Sequence, residues 1–354
     1  MSDADFLAAG SYGCVYKPPG LPCPDHPEID DRYKNVTTVT KLLRANEAEQ
    51  ELMVASYLKQ IDPTQAYFVY ALESSLCVPS KVQIEHCATK APILYMGPIE
   101  PEQYIMYRMA RGDMSLDHVV QNAGKNVDEW KKVMQYFVDT WRALAALHYY
   151  GIYHLDLGPT MGNIIISTFT DGSTRGRIID FGLSIVLKEV LKDDKSKSGL
   201  LQRLIDLRAP FWPPELLQIY VQLKHFEVNS DPVKMKDIND EFVKWRTIPN
   251  NKAFTDMYFK YDPNTTYKAL DTNFFDYKVF YKQIGDVLAA ADVYMLAMCQ
   301  LLALEQMGTE IQTIPDKFES IYQFLQQYVF RVNWRDRMMA YDVFMNLNSA
   351  RFTP

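Results

Sequence analysis

Residues 153–166, YHLDLGPTMGNIII, set His154, Asp156 and Asn163 in a short loop ahead of a β-branched run. A carboxylate such as Asp156 can accept a proton from a hydroxyl, and Asn163 carries an amide oxygen of the kind that binds Mg²⁺. IIDFG at 178–182 adds Asp180, a carboxylate suited to the same ion. Upstream, AAGSYGCVYK places Gly10, Ser11, Tyr12 and Gly13 between two strand-like runs. Glycines there let backbone amides approach a phosphate, with Tyr12 over the tip. Lys41 lies in the β-branched run VTTVTKLL. A lysine pointing inward from a strand needs a carboxylate partner, and Glu51 is the candidate, with Glu47 and Glu49 as competitors. Taken singly, each feature has an ordinary reading: a tight hairpin, an exposed edge-strand lysine, an Asx turn at Asp156, a β-turn before Gly182. Their order along one chain is what calls for a common explanation.

The surrounding sequence predicts the elements that would hold these groups. Residues 5–17 read as strand, glycine turn and strand, and the proline-rich stretch 18–35 as a loop. Residues 36–43 form a strand, and residues 46–61 a helix capped by Asn46 and stopped by Asp62-Pro63. YFVYAL at 67–72 and YIMYRM at 104–109 are further strand candidates. Residues 127–151 are a long amphipathic helix ended by Gly151. Residues 163–182 read as two strands around an Asp171-Gly172 turn, 184–208 as a charged, mobile stretch, and the remainder as mostly helix. A strand-rich first third and a helical remainder predict an α+β fold in two lobes.

Composition bounds the partners. With 44 acidic and 37 basic residues the net charge is −7, which disfavours nucleic acid as a ligand. The hydrophobic share of 48% excludes wholesale disorder, and 354 residues suffice for about two domains. Five scattered cysteines without a CxxC predict reduced thiols in an intracellular, cytoplasmic setting rather than a disulfide framework or zinc ribbon. The first residues show neither a basic nor an apolar region of a secretory signal. Val287 to Leu304 is apolar enough to resemble a membrane span, but it contains Asp292 and Gln300. A buried core helix is the better reading, so no membrane partner is expected.

The ordered set of glycine loop, strand lysine, helix glutamate, HxD…N and DFG resembles the protein kinase superfamily. That resemblance implies a bilobal kinase-like fold, with an N-lobe over residues 1–109 and a C-lobe over 110–354. It implies ATP and Mg²⁺ as cofactors and a protein substrate, with Ser/Thr as the default acceptor. Asp156 would be the catalytic base, Lys41 the phosphate-binding lysine and Glu51 its helix partner, since Leu58 follows seven residues on. Asn163 and Asp180 would be the metal ligands. Gly10 to Gly13 would cover the phosphates, Val15 and Val39 would roof the adenine, and Ile165 would floor it. Met106 would be the gatekeeper, and Tyr107 to Met109 the hinge. Pro213-Pro214-Glu215 stands where kinases have APE, DVYMLA from Asp292 resembles the start of helix F, and Arg337 matches the arginine that pairs with the APE glutamate. The WPPE form, an insertion at about 217–285 and the IDP closing the first helix look like kinases of large nucleocytoplasmic DNA viruses. That affinity would put the protein in host cytoplasm or a virion, with the insertion as a candidate binding surface.

Several positions depart from the pattern. Ala8 replaces the first loop glycine, and HLD replaces HRD. Gly158 stands where Ser/Thr kinases carry lysine, and Asn163 follows Asp156 by seven residues against the family's five. Two alternatives therefore stay open: a weak or dead pseudokinase serving as scaffold or virion component, and a small-molecule kinase of the aminoglycoside phosphotransferase type.

Overall fold

The computed structural model describes residues 6–9, 13–18, 21–23, 38–90, 100–158, 160–206, 213, 215–216, 277–311, 315–329, 331 and 334–349. In chain order the strands are β1 (Phe6–Ala9), β2 (Gly13–Tyr16), β3 (Thr38–Arg44), β4 (Leu72–Cys77), β5 (Tyr104–Ala110), β6 (Met114–Ser115), β7 (Ile152–Tyr153), β8 (Ile164–Thr168), β9 (Thr174–Ile178) and β10 (Ile185–Val186). The helices are α1 (Ala45–Ile61), α2 (Lys81–Lys90), α3 (Leu116–Asn122), α4 (Val127–Tyr149), α5 (Leu187–Val190), α6 (Asp194–Asp206), α7 (Tyr277–Ile311), α8 (Asp316–Phe324) and α9 (Ala340–Leu347). A sheet-rich N-terminal region and a helical C-terminal region make this a mixed, α+β chain.

The chain divides into two compact units: Met1–Met114 with Ile165–Ser184, and Ser115–Ile164 with Ile185–Pro354. Residues 165–184 thus group with the first unit, although the chain between them and Met114 belongs to the second. Hydrogen bonds explain this. Ile178 N donates to Tyr67 O at 2.9 Å, Val69 N donates back to Ile178 O at 3.0 Å, and Arg177 Nη1 donates to Gln65 O at 3.0 Å.

The first unit is built on an antiparallel sheet in the order β1-β2-β3-β5-β4. One face packs Cys14, Tyr16, Leu42, Ile84, Cys87, Tyr104 and Met106 into a core. α1 starts one residue earlier than expected; Arg44 holds the cap position without a side-chain bond, so Asn46 is inside the first turn. Asp62 ends it: its carboxylate accepts from the Ala66, Tyr67 and Phe68 amides. Those bonds turn the backbone, which is why the expected strand at 67–72 gives way to β4 at 72–77. α2 was not foreseen. β8 and β9 flank the expected Asp171-Gly172 turn, where Gly172 takes φ +80°.

The cysteine expectation is corrected. Cys14–Cys87 and Cys23–Cys77 are disulfides, and only Cys299 is a free thiol among the described residues. The partners stand 73 and 54 residues apart, so spacing gave no hint; α2 and β4 bring them to β2 and the segment after it. The reduced-thiol ground for a cytoplasmic setting is thereby removed.

In the second unit Asn126 caps α4, accepting from Asp128 N at 2.9 Å, and Gly151 turns the chain out of it at φ +67°. α7 is the core of this unit. Its most apolar stretch has mean hydropathy 1.9 and is 94% buried, as the sequence reading of Val287–Leu304 anticipated. Trp141 Nε1 on α4 donates to Gln300 Oε1 at 2.8 Å, which satisfies the buried amide. The stretch expected to be mobile forms α5 and α6 instead. Residues 217–276 of the expected insertion lie outside the described residues, and 277–285 are the opening turns of α7.

Candidate active site

Lys41 Nζ donates to Glu51 Oε2 at 2.7 Å and to Asp180 Oδ1 at 3.1 Å. β3 supplies the lysine, α1 the glutamate and the turn after β9 the aspartate, so three separated segments of the first unit meet on one ammonium. Glu51 is the expected partner; Glu47 is half-buried and Glu49 exposed. Lys41 and Glu51 are 7% and 2% exposed, so their charges are largely cut off from water. Burial would lower the lysine's pKa, but Asp180 and Glu51 hold it above its ordinary range, fully charged. Burial pushes the Glu51 carboxyl up, and Lys41 pulls it partly back. Gln50 Nε2 also donates to Ser184 O at 2.7 Å, a second tie from α1 to the segment after Asp180 that no sequence signal announced.

Sheet register sorts the proposed nucleotide residues. Val15 and Tyr107 both pair with Lys41, and Val39 pairs with Met109, so these side chains share the Lys41 face. Met106 pairs with Leu42 and lies on the opposite face in the core cluster. Tyr107, not Met106, is therefore the β5 residue across the sheet from the lysine. A Cβ on Gly13 would collide with Leu42 O, so the close approach of β2 to β3 there requires glycine. Gly10, Ser11 and Tyr12 lie outside the described residues. Ile165 packs on Gly112, where a Cβ would come within 2.5 Å of Ile165 Cδ1.

In the second unit Asp156 and Asn163 are brought together despite the two extra residues. Asn163 Nδ2 donates to Asp156 Oδ2 and to Asp156 O, both at 2.8 Å. The added length is taken up in turns, with Met161 N donating to Gly158 O at 2.9 Å and Ile164 N to Met161 O at 3.2 Å. Thr160 and Gly162 are exposed while Met161 is buried at φ +51°. Cys299 Sγ on α7 donates to Gly158 O at 3.0 Å and holds the base of this bulge.

Asp292 underlies the loop. It is wholly buried, and its carboxylate accepts from His154 N and Leu155 N, each at 2.7 Å, with His148 Nε2 at 3.2 Å. It lies mid-way along α7 rather than at a helix start. The expected Glu215–Arg337 pair is formed: the guanidinium grips both carboxylate oxygens in a buried fork, and Nη1 also donates to Ala290 O at 2.9 Å. Pro213 is described and Pro214 is not.

Leu155, Met161 and Asp180 are three of the four described non-glycine residues at positive φ. Such backbone is disfavoured for L-residues and persists where surrounding contacts impose it, commonly at functional sites. Comparison of the chain with family models and with curated proteins finds no match to either.

Proposed function

We propose that the protein is a Mg²⁺- and ATP-dependent protein kinase that transfers a phosphoryl group to side-chain hydroxyls, with serine or threonine as the default acceptor. The observation that carries this reading is the buried Lys41–Glu51–Asp180 cluster. An ammonium fixed by one buried carboxylate and shared with a second, more exposed one suits a lysine that holds ATP phosphates beside a cation-binding aspartate. The residues fit Mg²⁺ in chemical type. Among the described residues no three His, Cys, Asp or Glu side chains cluster as a metal site. Mg²⁺ needs no such cage, because it takes one or two protein oxygens and leaves the rest to phosphates and water. Asn163 commits its amide nitrogen to Asp156, leaving Oδ1 as its oxygen donor, and Asp180 is about one-third exposed. The ion would neutralise charge developing on the transferred group.

Asp156 is the base in this reading. It accepts the proton as the substrate hydroxyl attacks, while Asn163 orients its carboxylate. Asp292 keeps the loop in its strained shape by satisfying two consecutive amides. Gly158 supports a second reading, a pseudokinase, because no cation stands there for the γ-phosphate. The test is transfer of label from γ-labelled ATP with Mg²⁺ to casein or histone, with an aminoglycoside as alternative acceptor. Wild type should label protein and Lys41→Met should not. Nucleotide binding without transfer supports the pseudokinase, labelling of the aminoglycoside alone supports a small-molecule kinase, and equal labelling by Lys41→Met refutes the assignment of the lysine.

A further inference from the structure

Tyr107 sits directly across the sheet from Lys41 and is wholly buried. Its hydroxyl makes no hydrogen bond of normal distance and angle among the described residues. A phenylalanine would fill the same space without burying a polar group, so the hydroxyl carries a cost that ring packing does not repay. Its surroundings point to a partner. Apart from burial itself, the group acting most strongly on the Tyr107 hydroxyl is Glu51, and Tyr107 in turn helps Glu51 keep its charge. The two groups are thus within hydrogen-bonding influence of each other, short of a bond of normal distance and angle. Glu51 Oε2 takes the Lys41 bond.

Lys41 divides its donors between Glu51 and Asp180. Nucleotide phosphates would draw that ammonium outward, leaving Glu51 to hold it with one oxygen inside a dry pocket. We propose that Tyr107 is a positioning residue whose hydroxyl donates to the Glu51 carboxylate in the nucleotide-bound state, fixing Glu51 and through it Lys41. This rests on the kinase reading above, and it goes beyond it by giving a β5 side chain a role in the ion pair rather than in contact with adenine. The bond forms on loading, so it acts on the transfer step more than on nucleotide capture.

The experiment is a double-mutant cycle of Tyr107→Phe and Glu51→Gln, read as kcat and as KM for ATP, with melting temperatures to confirm folding. Tyr107→Phe should lower kcat roughly tenfold with KM within about twofold, the loss expected for one hydrogen bond to a charged group. In the Glu51→Gln background the same change should cost less than about twofold. Labelled tyrosine gives a second readout: the Tyr107 ring-carbon resonance next to oxygen should shift when a non-hydrolysable ATP analogue is added, and not in Glu51→Gln. Wild-type kinetics for Tyr107→Phe, or a loss that persists undiminished without Glu51, overturns the inference and leaves the kinase reading standing. Absence of transfer by the wild-type protein overturns the kinase reading, and with it the role given to Tyr107.

Discussion

Replacing Asp292 by alanine should strongly destabilise the second unit. Two backbone amides, His154 N and Leu155 N, would lose acceptors at 2.7 Å in a place with no access to water. Each orphaned buried donor costs about 1–3 kcal/mol, and bonds to a carboxylate lie at the strong end. Adding the cavity and the lost His148 contact, the expected destabilisation is about 3–5 kcal/mol. At roughly 2–4 °C per kcal/mol for a body of this size, the melting temperature should fall by about 6–20 °C. Asp292→Asn should lose about half as much, because its amide oxygen still accepts one loop N–H while its NH₂ faces the other. Thermal and guanidinium unfolding measure the loss, and hydrogen exchange localises it to the His154 and Leu155 amides. A Asp292→Ala protein melting within about 2 °C of wild type, with those amides still protected, would refute the reasoning.

Glu51→Gln should reduce ATP turnover and stability together, whereas Glu47→Gln should stay within about 0.5 kcal/mol of wild type in urea unfolding; the reverse order would move the lysine's partner. Arg337→Ala should destabilise by about 3–5 kcal/mol by leaving Glu215 buried without its fork, and Arg337→Ala/Glu215→Ala should recover part of that loss. Unfolding in denaturant without reductant should expose one reactive thiol, Cys299, per chain, and with reductant all five. A count of five in both conditions would eliminate the two cross-links. Loops of 73 and 54 residues predict about 4 kcal/mol of stabilisation from each cross-link.

The sequence was most legible where chemistry demands particular residue types at short range. The Lys41–Glu51 pair, the Asp156–Asn163 bond and the Glu215–Arg337 fork all appear between the residues the motifs singled out. Asp292 under the loop was legible for another reason, since a carboxylate inside an apolar helix must find donors. The misses share a cause in tertiary context. Which face of β5 meets Lys41 depends on a register that the run YIMYRM does not reveal, and a shift of one residue would exchange Tyr107 for Met106. The strand expected at 67–72 lost to Asp62, whose side chain captures three amides that a ladder would have used. The disulfides depend on α2, a short helix with a weak sequence pattern that carries Cys87 to Cys14.

The central claim is tested most directly by Asp156→Asn, which keeps the shape of the loop and removes only the proton acceptor. Calorimetry of Mg-ATP binding and single-turnover transfer to protein should be measured on the same preparations. The account predicts ATP affinity within about twofold of wild type and transfer slowed by at least ~100-fold, the scale of a lost general base. Transfer at the wild-type rate by Asp156→Asn, or no Mg-ATP binding by either folded protein, would contradict it.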